Sequence, residues 1–178
     1  DKLVAFNTHW GAALGEDRLL EALGDFVSVS DSKLADGDDV TMRHLLRANH
    51  GFRTLADIDR KSRFLFMADE EVQYEPKPVK KFLLKKEGAG LAMLETLRPR
   101  FEALDEWTEE RFEALFKEIC ESTDQKLGQV AQPVRVAISG GSVSPPIYDS
   151  LVLLGRERTL RRIDRCLQEC RGLLESST

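Results

Sequence analysis

Cys166 and Cys170 stand four residues apart, a spacing that sets two thiols on one face of a helix and supplies half of a metal site. No His, Cys or acidic set completes that ligand shell, so two small core-facing residues are the stronger reading. With Cys120 they make an odd count without secretory context, which points to a reducing cytosol. His9, His44 and His50 are scattered, and none has a Cys or carboxylate at metal spacing. Ser139-Gly140-Gly141-Ser142 lacks the Gly-Lys-Ser/Thr ending and the preceding strand of a phosphate loop, and reads as a flexible turn. Paired acids are abundant, but they lie on polar faces where a solvated charge is the default. Nothing here demands an enzyme: no catalytic residue is assigned, and no metal or cofactor is called for within this chain.

The elements that must carry these residues are helices. Thr54-Leu55-Ala56-Asp57 is a capping-box variant, and Leu55, Ile58, Ser62, Leu65 and Phe66 keep helical spacing behind it. Thr108 opens a clearer helix, with Glu109 and Glu110 in the first turn, where the helix dipole favours acids. Phe112, Leu115, Phe116 and Ile119 form its apolar face. Leu160, Ile163, Leu167, Cys170 and Leu174 repeat at three and four, which makes the intervening arginines the polar side of a last helix. Weaker helical patterns cover 2–13, 16–23, 39–49, 78–86 and 90–104. Pro78 suits a first helical turn, and Pro99 is expected to kink or break its helix. Val134–Ile138 alternates briefly, but without a partner run it reads as helix.

The 178 residues, 42% hydrophobic and 32% charged, suffice for one ordinary domain or two small subdomains, and exclude a disordered or membrane-embedded chain. No apolar run approaches the ~20 residues of a spanning helix, so no membrane partner and a cytoplasmic location are expected. With neither a signal-peptide layout nor an initiator Met, the chain reads as an excised fragment. A net charge of −5 argues against a general nucleic-acid coat, though not against a local basic face. In residues 156–171, Arg156, Arg158, Arg161, Arg162, Arg165 and Arg171 outnumber Glu157, Asp164 and Glu169, giving +3 there and −8 elsewhere. Ser28 to Asp39 looks like a surface connection. The acidic, proline-bearing stretch from Glu70 to Pro78 is the expected boundary. The fold class is therefore all-α, with subdomains at 1–75 and 76–178.

Lys126 to Leu167 is the most informative segment. Leu127-Gly128, Gln132-Pro133-Val134-Arg135, Ala137-Ile138-Ser139-Gly140, Ser144-Pro145 and Leu154-Gly155-Arg156-Glu157-Arg158 stand there in order, followed by Arg161-Arg162-Ile163. Upstream come Phe52-Arg53-Thr54-Leu55, Arg63-Phe64-Leu65-Phe66 and Glu106-Trp107-Thr108-Glu109. Over about residues 38–170 this pattern resembles the C-terminal anticodon-binding region of bacterial-type glutamyl-tRNA synthetases, class I enzymes. The related helical domain of class I lysyl-tRNA synthetases and a helical protein-binding adapter are the alternatives.

The resemblance implies an α-helix cage that binds tRNA-Glu, with tRNA-Gln left open as a second partner. It also implies a catalytic part elsewhere in the same parent chain, using ATP and Mg; the HIGH and KMSKS signatures of that part do not occur here. By resemblance Arg135, Ser144, Pro145, Ile147 and Tyr148 match base-contacting positions, and Lys117 falls where a basic tRNA contact can stand. Arginine offers a rigid donor fork and serine a hydroxyl, while proline, isoleucine and tyrosine offer platforms for unstacked bases. The bland readings stay open: an intramolecular ion pair for Arg135 and core packing for Ile147 and Tyr148. Arg156, Arg158, Arg161 and Arg162 are candidate backbone contacts or a solvated face. Gly51 occupies a position where discriminating members can carry Arg to favour C as the third anticodon base. Its plain alternative is a helix-ending glycine, and Arg53 or Arg47 could reach the same base.

Overall fold

The computed structural model describes residues 15–175, with side chains to Leu173. The helix expected over 2–13, and His9 within it, lie outside the described residues. Every regular element among the described residues is helical. The chain divides into two compact units, Asp1–Met67 and Ala68–Thr178.

The first unit holds α1 (Glu16–Val29), α2 (Asp39–Ala48) and α3 (Leu55–Ser62). Polar caps start them where the sequence offers one. Asp38 accepts the Thr41 N–H at 2.8 Å, and Thr54 accepts the Asp57 N–H at 3.2 Å. Asp57 does not reach back to complete a box; it pairs with Arg60 at 2.8 Å. A tight 3-10 turn, Arg63–Phe66, carries α3 on to Phe66. The stretch from Ser28 to Asp39 is more than a surface connection: Leu34 is buried, and Ser32 donates to Asp59 Oδ1 at 2.7 Å. Leu23, Leu45, Leu46, Ile58 and Phe64 close this core.

The second unit begins earlier than residue 76, because the acidic stretch packs into it. Val72 is buried, the Tyr74 hydroxyl donates to the Arg162 carbonyl at 3.3 Å, and the Glu75 N–H donates to the Gly140 carbonyl at 2.8 Å. A helical turn at Pro76–Pro78 widens into a π turn, Val79–Leu84. Then come α4 (Lys85–Glu102), α5 (Glu109–Thr123), α6 (Leu127–Ser139), α7 (Ile147–Leu154) and α8 (Arg156–Glu175). The entry to α4 is left-handed at Lys86, Glu87 and Gly88, so the single helix expected over 78–86 is replaced by a wide turn and a reversal. Gly90 permits that turn, since a Cβ there would meet the Phe82 carbonyl oxygen at 1.9 Å. Pro99 does not break α4, which runs on to Glu102.

Phe101 packs edge-on against Phe112, with ring centres 5.9 Å apart, and stacks near Phe116 at 6.0 Å. Trp107 makes a T-shaped pair with Phe112, ring centres 4.8 Å apart, and its Nε1 donates to the Leu151 carbonyl at 2.7 Å, tying the α4–α5 connection to α7. Cys166 and Cys170, on α8, are both buried free thiols.

Candidate nucleic-acid interface

α6 and the turn that follows it bring Arg135 and Ser144 together. Gly140 makes the turn possible: its φ is +77°, and a Cβ would meet the Gln73 carbonyl oxygen at 2.1 Å. The Arg135 Nη1 then donates to the carbonyls of Ser144, at 3.2 Å, and Pro145, at 2.8 Å, and also to the Ser144 hydroxyl. That hydroxyl donates to the Pro145 carbonyl at 2.7 Å and lies 3.1 Å from the Ser150 hydroxyl on α7. Burial lowers the Arg135 pKa, and its Nε is buried without an acceptor among the described residues. Gln132, one helical turn before it, has a buried Oε1 that likewise lacks a partner among the described residues. Arg135 therefore grips the turn through one nitrogen, and Nη2 makes no bond among the described residues.

The apolar candidates separate by burial. Pro145 and Ile147 are buried, which favours the core-packing reading of Ile147 and sets both at the base of the turn. Tyr148 is half-buried, with its ring edge-on to Phe116 at 5.4 Å, and retains an open side. Lys117, on α5, is exposed.

The arginines of α8 are not a free basic face. Asp69 accepts from Arg158 at 3.3 Å, Arg161 at 2.8 Å and Arg162 at 2.7 Å. Arg162 is 0% exposed and also donates to the Ile138 carbonyl at 2.6 Å, so it is an internal brace and not part of a solvated face. Arg156 lies over the Trp107 ring and donates to the Leu104 carbonyl. Arg158 and Arg161 keep part of their surface, but their charge is shared with Asp69.

In the first unit, Gly51 has φ +82° two residues past the α2 C-cap at Asn49, as the third residue of a turn closed by the Phe52 N–H donating to the Asn49 carbonyl at 2.9 Å. It is exposed, and a Cβ would meet nothing within 4 Å. Arg47, one alternative reader, is held by Glu16 through two bonds of 2.8 Å. Arg53 is exposed.

A family model described as an anticodon binding domain matches residues 18–167. The chain belongs to that family. The anticodon-binding domain is 32% identical over 171 residues to a glutamate–tRNA ligase of Thermodesulfovibrio yellowstonii, covering 94% of this chain and 36% of that protein. It is 41% identical over 116 residues to a glutamate–tRNA ligase of Thermus thermophilus, covering 65% of this chain and 23% of the relative. The chain thus spans about a third or less of the relatives it matches. These relatives favour the glutamyl reading over the lysyl alternative. A solved glutamate–tRNA ligase from Elizabethkingia meningosepticum superposes with a TM-score of 0.74 at 20% identity, over 93% of this chain and 31% of that one, and shows the shared fold.

Sequence reasoning did not single out Ser150 or Asp69 in this anticodon-binding domain, and took Gln132 only as part of a matching run. Ser150 and Gln132 are ordinary polar residues inside helical patterns. Asp69 stands in an acidic run whose default reading is solvated, and only its distance from α8 gives it a role.

Proposed function

We propose that this anticodon-binding domain reads the anticodon of tRNA-Glu as part of a longer glutamate–tRNA ligase. The observation that carries this reading is the braced turn, in which Arg135 fixes Ser144 and Pro145 beside the half-open ring of Tyr148. A loop held in one shape offers its hydroxyl and ring to an unstacked base without first losing conformational entropy. The Arg135 Nη2 adds a donor for a base edge, and the exposed Lys117 a charge for the backbone.

The absence of a side chain at Gly51 supports acceptance of tRNA-Gln as a second substrate, because nothing at that position rewards one third anticodon base over another. On this reading ATP and Mg serve the catalytic part of the parent chain, in the cytoplasm. The test is titration of tRNA-Glu transcripts with altered anticodons into the chain. Affinity that falls with anticodon changes supports the proposal; equal affinity for every RNA of the same length would overturn it.

A further inference from the structure

Once the arginines of the second unit are paired, its unbalanced positive charge lies elsewhere. Arg98 pairs with Asp164, Arg100 with Glu118, Arg111 with Glu106, Arg165 with Glu169 and Arg171 with Glu95. Lys77, Lys80, Lys81, Lys85 and Lys86 are all exposed, and none makes an ion pair among the described residues. Between residues 76 and 88 these five lysines face one acid, Glu87, a net charge of +4 in a chain of −5.

The backbone gathers them. A π turn, closed by i→i+5 bonds, takes up the middle of the run. Lys77 precedes this turn, Lys80 and Lys81 lie in it, and Lys85, extended, and Lys86, left-handed, follow it, so five exposed lysines stand within ten residues while Pro78, Val79 and Leu83 are buried beneath. The left-handed run at Lys86–Gly88, made possible by the close approach of Gly90 to Phe82, ends the ridge. Lys81 also rests over the Phe82 ring, with its Nζ 4.8 Å from the centre.

We infer that the Lys77–Lys86 ridge is a contact surface for the phosphate backbone of the bound tRNA. Lysine ammonium groups are compact, hydrated point charges without the fork that reads a base edge, which suits attraction to phosphate rather than base selection. The ridge supplies this chain with the local basic face that its acidic total otherwise denies to RNA. The inference rests on the proposed reading that the chain binds tRNA.

The experiment titrates tRNA-Glu transcript into the full chain over a series of KCl concentrations, beside a variant with Lys77, Lys80, Lys81, Lys85 and Lys86 all changed to Gln. A Lys80→Gln/Lys81→Gln pair serves if the fivefold variant fails a circular-dichroism melt. The expected result is weaker binding, by the same factor for every anticodon. The slope of log K against log salt should become shallower by about 0.7–0.9 for each phosphate that the variant no longer neutralises. A folded variant with the affinity and salt slope of the original chain would overturn the inference and leave tRNA binding standing. Failure of the original chain to bind tRNA at all would overturn both.

Discussion

Asp69 Oδ1 accepts from the Nε of Arg162 at 2.7 Å, and no part of the Arg162 side chain reaches solvent. Asp69 is the charge that lets a guanidinium sit inside the second unit. Asp69→Ala leaves that charge uncompensated, and should destabilise the unit by about 3–5 kcal/mol. Urea denaturation checks it; a drop in stability below about 1 kcal/mol would show that other acceptors suffice.

The same pair sets an acid limit. Burial works against the Asp69 carboxylate, but hydrogen bonds from Arg162 and Arg161 outweigh it and hold its pKa below the ordinary 3.8. A carboxylate depressed in the folded state contributes stability that is fully present above its unfolded value. That contribution is lost as pH falls through the folded one. Melting temperature should therefore hold steady from neutrality to about pH 5 and decline below about pH 4. Asp69→Asn should start lower and decline less over that interval.

Arg135→Ala should weaken tRNA recognition by roughly 1–3 kcal/mol, to an extent that depends on the anticodon. It also deprives the Ser144 and Pro145 carbonyls of their shared donor, so the turn loosens while α6 survives, since arginine and alanine are both good helix formers. Titration with anticodon variants beside a thermal melt separates these effects. Unchanged affinity in a folded variant would confine Arg135 to a structural role.

Gly51→Arg in the parent synthetase should reject tRNA-Gln by about 1–3 kcal/mol, the scale of one mismatched base edge. Space for the side chain is open, but φ +82° strains any residue other than glycine, at about 1–2 kcal/mol of stability. Aminoacylation of both tRNAs before and after the change decides it. An unmodified enzyme that already refuses tRNA-Gln would sink the idea.

The chain alone should not activate an amino acid, since the HIGH and KMSKS signatures do not occur in it. ATP–pyrophosphate exchange by the purified chain would contradict this.

Helix starts marked by Thr54 and Thr108 are legible in the sequence because a side-chain cap is a local event. Val134–Ile138 is helical as its lack of a pairing run implies, and no strand exists for it among the described residues. Pro99 misleads because its cost falls on one bond to the preceding turn, and the burial of Leu94, Leu97 and Phe101 on either side of it holds the helix together. The reversal at Lys86–Gly88 has no local sign beyond Gly88 itself: lysine and glutamate are ordinary helix formers, and the close approach of Gly90 to the Phe82 carbonyl that accompanies the reversal is a tertiary event. The site is half legible. The resemblance names Arg135 and Ser144, but not that one grips the other. An arginine buried as deeply as Arg162 runs against the surface preference that any reading of sequence must assume.

The Ser144 hydroxyl meets Arg135, the Pro145 carbonyl and the Ser150 hydroxyl at one point. Transplanting this turn from a relative is therefore a matter of moving a linked set rather than a dipeptide. A graft of residues 144 and 145 alone would arrive in a socket cut for different partners. Carried with positions 135 and 150, it brings its own scaffolding, and the gain should exceed the sum of the separate exchanges.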